Sequence, residues 1–312
     1  MAATLDEENR SHPSTFRQLL SQRLGFDEFV SSQVWQASVT ELIGTAVLVF
    51  FLDAIAMSAS ETDTRTPNLL NAFVSFACIA IVLHATVPLS GGHLNPTVTF
   101  TSAISGLISP IRAAIYINAQ CCGAVVAALA LKASVGHAVE EKFLLSGCTL
   151  RVPVLVRGGT STPNNTVGIE TSQGLCLEII CTFFFLFGPV FVTFDTRLVR
   201  AYGSVAVLIL VAAVLGLLTF VSLTVTDHKK GYSGASMNPA KCLGPALVHG
   251  GHLWNDLWVF WVGPAIASLL FYLYMKLVPR HHFSPAEDYK YDFLTTLKAL
   301  CSRNYRQKST VL

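Results

Sequence analysis

Two asparagines carry the chemistry this chain can do: Asn95 in the stretch SGGHLNPTVTF (90–100) and Asn238 in SGASMNPAKC (233–242). Each stands directly before a proline, in a short polar break that contains glycine and lies beside long apolar segments. Proline suits the first turn of a helix, where its missing N–H would go unused. The pattern predicts two short helices, from Pro96 toward Ile104 and from Pro239 toward Val248, with Thr97 and Ala240 in their first turns. Neither is long enough to cross a bilayer, which needs about 20 residues. Two half-length helices that meet near the midplane would aim free N–H groups and partial positive charge at whatever passes between them. The side-chain amides of Asn95 and Asn238 would add donors at the same place. Such a centre favours a solute oxygen and disfavours a cation, including a hydrated proton. Passage of a neutral solute needs no nucleophile, base, metal or cofactor, and no such constellation is expected here. His249 and His252, and the pair His281 and His282, have no Cys or carboxylate at ligand spacing and read as surface residues.

The elements that must position these turns are membrane spans. Of the 312 residues, 52% are hydrophobic and 13% charged, and mean hydropathy is +0.53. Soluble domains carry roughly 25% charged residues. Apolar blocks fall at about 36–58, 69–88, 111–133, 173–194, 203–225 and 257–278. Six spans put both tails on one side. The first 34 residues are polar and lack a signal-peptide core, so the first span is expected to direct insertion. Of the 21 Lys and Arg, 13 fall on the tail side and 8 on the other, which predicts cytoplasmic termini. A net charge of +2 with no basic face gives no nucleic-acid partner.

The second half repeats the first. Glu41 precedes Asn95 by 54 residues and Glu178 precedes Asn238 by 60; an enlarged loop, DHKKGYSG, fits the difference. With three spans in each half, the second enters the membrane from the opposite side, and this inverted repeat sets the Asn-Pro turns face to face. The predicted organisation is a tail (1–34), a channel domain (35–280) and a second tail (281–312). Within the domain lie repeat 1 (35–135), a loop outside the membrane (136–172) and repeat 2 (173–280). A carboxylate in a span is expensive and by default has a functional partner. Glu41 and Glu178 are therefore candidates either to brace the half-helix loops or to bond neighbouring helices. The long loop contains a glycosylation triplet at Asn164.

HLNPTVTF and MNPAKC, preceded by ELIGT and EIICT, resemble the two repeats of the major intrinsic proteins, the aquaporin superfamily, over about residues 35–280. Cys242 directly after the second motif, the altered first motif Asn95-Pro96-Thr97 and Cys148 in LLSGCTL look most like the plant X intrinsic proteins, whose usual NPARC is NPAKC here. The resemblance implies an all-α membrane protein of six transmembrane helices and two half-helices. It implies a homotetramer in the plasma membrane, with one pore per subunit for passive diffusion of small uncharged solutes. It gives Glu41 and Glu178 the loop-bracing role. It also implies a second, outer constriction at Ser75, Val221, Ala235 and Lys241, although an ungapped count puts Thr226 where the gapped one puts Val221.

Water-selective relatives typically use an aromatic, a histidine and an arginine at that constriction. A hydroxyl, a branched alkyl and a methyl predict a wider and more apolar opening, poor for water. Glycerol, urea, boric acid and hydrogen peroxide are the solutes this implies. Lys241 would set a cation at the positive end of the second half-helix, where water or carbonyls must compensate it. Cys148 is expected to be exposed and to join a disulfide or redox contact, with Cys242 packed behind the constriction; a free buried thiol is the alternative at either site. A secondary transporter could share the inverted repeat, but coupling would call for charges in the membrane besides Glu41 and Glu178. A non-conducting scaffold or junction protein would show no flux.

Overall fold

The computed structural model describes residues 21–155, 161–192, 196–226, 231–277, 291–295 and 298. In chain order the elements are helices α1 (Ser32–Glu61), α2 (Pro67–Ser90), α3 (Pro96–Ser105), α4 (Pro110–Ser134) and α5 (His137–Phe143). Strands β1 (Arg151–Leu155) and β2 (Ser161–Gly168) follow, then helices α6 (Thr171–Phe185), α7 (Thr196–Thr224), α8 (Pro239–Val248) and α9 (Val259–Leu277). Among the described residues, six segments are long and apolar enough to cross a membrane: α1, α2, α4, Thr171–Val190, Leu198–Thr224 and Gly251–Leu277. In lipid, such runs satisfy their backbone groups by closing every bond within the helix.

Two spans depart from regular helix for local reasons. Gly188 and Pro189 interrupt the end of the fourth, which passes from α6 into a π-helical stretch, Phe187–Val192. Gly203, at φ 79° and ψ 157°, breaks α7 near its start, so the unbroken helix begins where the hydropathy block predicted. The connection between the repeats holds more structure than composition suggested: α5, then an antiparallel hairpin that runs from Arg151 opposite Gly168 to Leu155 opposite Ser161. Asn164 falls in β2, and its side chain lies outside the described residues, as do His281 and His282.

The two halves interlock. Helix α1 packs on α2 and α4, α6 packs on α9, and α2 meets α7 across the halves. Half-helix α3 lies against α4 and α9, while α8 lies against α4, so each half-helix touches the other repeat. Along α1, Val39, Ile43, Val47 and Phe51 are exposed on one stripe, whereas Ser38, Glu41, Thr45 and Asp53 are buried. The polar face turns inward because the surrounding solvent is hydrocarbon.

Between helices in lipid there is little hydrophobic drive, so close backbone approach at small residues carries the packing. A Cβ on Gly123 of α4 would stand 2.3 Å from the Leu42 carbonyl oxygen of α1, and one on Gly244 of α8 would stand 2.3 Å from that of Ala124. Both lie far inside contact distance, and the obstructing atoms are backbone. Gly123→Val should therefore force α1 and α4 apart and destabilise the protein by about 1–3 kcal/mol, the usual penalty of overpacking. A lowered unfolding temperature in detergent, at unchanged helix content before the transition, is the expected reading.

Candidate functional site

Asn95 and Asn238 are the N-caps of α3 and α8. Asn95 Oδ1 accepts from the Thr97 N–H at 2.8 Å and Asn238 Oδ1 accepts from the Ala240 N–H at 3.2 Å. The two half-helices thus begin at their prolines, as the motif predicts. The residue before each asparagine is left-handed: Leu94 at φ 50° and Met237 at φ 56°. This turn aims each carbonyl at the opposite loop. Asn95 Nδ2 donates to Met237 O at 2.9 Å, and Asn238 Nδ2 donates to Leu94 O at 3.1 Å. An amide nitrogen has two hydrogens, so each asparagine keeps one donor beyond this crossed pair.

The spans hold the same two residues from behind. Glu41 is fully buried, and its carboxylate accepts from the N–H groups of His93 at 3.0 Å and Leu94 at 2.7 Å, from Ser90 Oγ at 2.6 Å and from Gln120 Nε2 at 2.8 Å. Glu178, equally buried, accepts from the N–H groups of Ser236 and Met237, the latter at 3.2 Å. Gln120 of α4 also donates to Thr99 Oγ1 at 2.8 Å. Sequence reasoning passed over Gln120; a polar residue in an otherwise apolar span was the available signal.

On the face of the membrane that carries the inter-repeat loop, a cavity of ≈80 Å³ opens toward the crossed asparagines. One water needs only about 10–15 Å³ of such space. Ser75, Ala235 and Lys241 line it; Val221 does not. Val221 is 41% exposed on the outer side of α7, while Thr219 and Ser222, three residues apart on one helix face, reach the cavity in its place. Thr226 lies beyond the end of α7 and takes no part in the lining. Asn71, unnoticed in the sequence, joins the wall and accepts from Ser75 Oγ at 3.2 Å. Ser146, Thr219, Ser222, Ser233 and Ser236 add hydroxyls to the wall, while Leu52, Ala56, Leu215, Leu223 and Met237 add apolar surface, so the lining is mixed.

Lys241 is compensated differently from the expectation. Its ammonium does donate to a carbonyl, that of Ser146 at 3.3 Å, but its strong partner is Asp53 of α1, with Nζ–Oδ1 at 2.9 Å. Asp53 is 1% exposed. It is a third buried acid in the predicted spans, where the sequence reading had counted Glu41 and Glu178 as the central charges. Ser146 reaches Lys241 because Leu144, Leu145 and Ser146 form a left-handed turn, with φ of 53°, 53° and 55°.

Cys148 is not the exposed residue expected. It forms a disulfide with Cys242, both buried at 4% and 1% exposure among Leu150, Tyr232 and Phe260. Beside it the loop is laced to the approach to the second motif: Thr149 N donates to Ser233 Oγ and Ser233 N to Thr149 O, each at 3.0 Å. His249 is not a free surface residue either. Its ring faces Glu140 Oε1 at 3.4 Å, and Glu140 also pairs with Lys132 at 2.8 Å. The Lys132 ammonium, with His249 behind it, holds the Glu140 carboxyl below the usual carboxylate range.

Comparison with known proteins is consistent across sequence and structure. The family described as Major intrinsic protein matches residues 28–274. Probable aquaporin TIP3-2 of Arabidopsis thaliana is 31% identical over 277 residues, which cover 82% of this chain and 91% of that protein. Aquaporin-4 of Rattus norvegicus is 29% identical over 240 residues, 76% of this chain and 65% of its own length, just under two thirds. The X-ray structure of the aquaglyceroporin from Plasmodium falciparum shares the fold at 18% identity, with a TM-score of 0.58 over 78% of this chain and 96% of that one.

The disulfide closes a loop of 94 residues in sequence. Cys148→Ser and Cys242→Ser should each release one thiol to alkylation in denaturant and lower stability by roughly 2–4 kcal/mol. Alkylation of one thiol more in wild type than in either variant, before any reductant is added, would remove the bond.

Proposed function

This chain belongs to the major intrinsic protein family, whose members are membrane channels for small solutes, and on that premise we propose that it passes glycerol, urea, boric acid and hydrogen peroxide better than water. Flow is passive and bidirectional, and ions and protons are excluded. The observation that carries the reading is the lining of the cavity: among the described residues it holds no aromatic side chain and no histidine. The groups expected of a water-selective constriction are replaced by Ser75, Ala235 and a lysine drawn toward Asp53. Hydroxyls and one amide around the wall can replace the water shell of a polyol or urea, whose oxygens and N–H groups need several partners at once. The crossed Asn95–Asn238 centre, braced by Glu41 and Glu178, then admits solute oxygens in single file and opposes cations by its donors and helix dipoles.

Finer assignments rest on the sequence. Cys242 directly after the second motif, the altered first motif Asn95-Pro96-Thr97 and the Cys148–Cys242 pair support the X intrinsic subfamily, from whose usual NPARC this chain departs at Lys241. The 13 to 8 distribution of basic residues supports cytoplasmic termini, and the plasma membrane is what the X intrinsic resemblance implies. The exposed apolar stripe of α1 suits burial in lipid or against neighbouring copies in a homotetramer. Asp53 is the kind of extra charge that a coupled transporter would need, but Lys241 already matches it, so the channel reading stands.

Stopped-flow swelling and shrinkage of proteoliposomes against a panel of neutral solutes tests this directly. Glycerol or urea should pass without an ion gradient and without saturation, while water flux stays low. Ser75→Phe should reduce glycerol flux by about tenfold, equivalent to roughly 1.4 kcal/mol of added barrier, and water flux by less. Lys241→Arg should lower the flux of the largest permeant solute, since a planar fork of donors holds oxygens more rigidly than a lysine. Rapid water flux with glycerol excluded would overturn the wide-constriction reading.

A further inference from the structure

We propose that Asp53 is a specificity-determining residue of this pore: it draws the Lys241 ammonium to the wall of the cavity and cancels its charge. The inference rests on the channel reading above and adds to it a residue outside the motifs.

The placement of Asp53 is hard to explain otherwise. A carboxylate buried in a span is expensive unless it is paired, and the loop-bracing that occupies the other two acids is already complete with Glu41 and Glu178. Asp53 does not line the cavity; Lys241 stands in the lining and reaches back to it. Among the described residues, neither carboxylate oxygen of Asp53 has a hydrogen-bond partner, and the acid's ion pair is with Lys241, Nζ to Oδ1 at 2.9 Å. One acid behind the wall and one lysine in it therefore make a neutral pair at the mouth.

The geometry of the lysine follows. Its ammonium has three donors. The Ser146 carbonyl accepts from it out of the left-handed turn of the loop, and Asp53 Oδ1 attracts it as an ion pair from α1. The disulfide at Cys148 and Cys242, two residues past Ser146 and one past Lys241, ties that turn to the start of α8. A long flexible side chain is thereby fixed in one direction. Without the carboxylate, the ammonium would hold only one carbonyl and would turn to water or solute in the cavity. It would also add an uncancelled positive charge to the N-terminus of α8, which is already positive.

Two consequences distinguish this role from simple helix packing. The barrier to ions is shared between the centre, where the crossed asparagines and helix N-termini oppose cations, and the mouth, where a pair without net charge attracts ions of neither sign. Removing either partner alone must give the mouth a sign, and the two signs must be opposite.

The test uses the full-length protein in liposomes and planar bilayers, with glycerol and water as solutes and potassium chloride as the salt. Asp53→Asn should lower glycerol flux relative to water by about twofold or more, the lower end of coupling between touching residues, and give a chloride-selective leak. Lys241→Gln should give a leak of the opposite, potassium-selective sign. Combining Asp53→Asn with Lys241→Gln should abolish both leaks and leave glycerol flux above that of Asp53→Asn alone. If Asp53→Asn fails to fold, Asp53→Glu and the combined variant carry the test. Retention of wild-type ion exclusion by Asp53→Glu, and loss of the Lys241→Gln leak in the combined variant, would support the proposal. Asp53→Asn with wild-type solute ratio and no chloride selectivity, or a combined variant that leaks as Lys241→Gln does, would overturn it. Failure of wild type to pass any neutral solute would instead overturn the channel reading.

Discussion

The structure depends on a crossed pair of hydrogen bonds. Each half-helix asparagine donates to the carbonyl of the residue that precedes the other asparagine, and each of those residues has its own N–H held by a buried glutamate. Two chains of contact result, Glu41–Leu94–Asn238 and Glu178–Met237–Asn95, and each runs from a span of one repeat to the cap of the other. Neither half can place its own asparagine without the other half's loop. The left-handed backbone at Leu94 and Met237 is what makes the crossing possible, since it turns carbonyl and N–H to opposite partners. Irregular backbone at membrane depth is tolerated only where its polar groups are satisfied in this way or face water.

Charge within the spans obeys the same economy of partners. Glu41 accepts four hydrogen bonds, so its desolvation is offset by donors rather than by a counter-ion. Asp53 has no such set of donors and is instead matched by Lys241. The first arrangement fixes a loop and is indifferent to what passes through the pore. The second sets the electrical sign of an opening, because one member of the pair stands in the wall of the cavity.

Much of this was legible in the sequence for physical reasons. Span length and hydropathy are imposed by the bilayer, and an Asn-Pro at the edge of a polar break marks a helix start; hence the six spans and the extents of α3 and α8 came within a few residues. What could not be read depends on which side chains meet. Asp53 lay inside a predicted span as an unremarked acid, and only the fold shows that it faces Lys241, 188 positions later. Counting back from Asn238 through a loop of altered length gave Val221, whereas the face of α7 that meets the cavity is set by helix rotation and falls on Thr219 and Ser222. Cys148 looked exposed because its neighbours in sequence are loop residues; the residues that bury it, among them Tyr232, Ala246 and Phe260, come from stretches far along the chain that only the fold brings together.

The two repeats are not held equally, and the difference tracks the side of the membrane. The first loop is gripped by Glu41 together with Ser90 and Gln120, all hydrogen bonds. Glu178 reaches only the Ser236 and Met237 N–H groups in the second loop. The shortfall is offset from outside the span, by the Cys148–Cys242 bond and the reciprocal Thr149–Ser233 pair, which fasten the long connection onto the start of α8. Disulfides form and persist in oxidising compartments and are rare in the cytosol, so the proposed orientation, with this loop away from the cytoplasm, is the one in which the bond lasts. This also explains why an inverted repeat diverges most at its loops: the same turn, built twice, meets two different solvents.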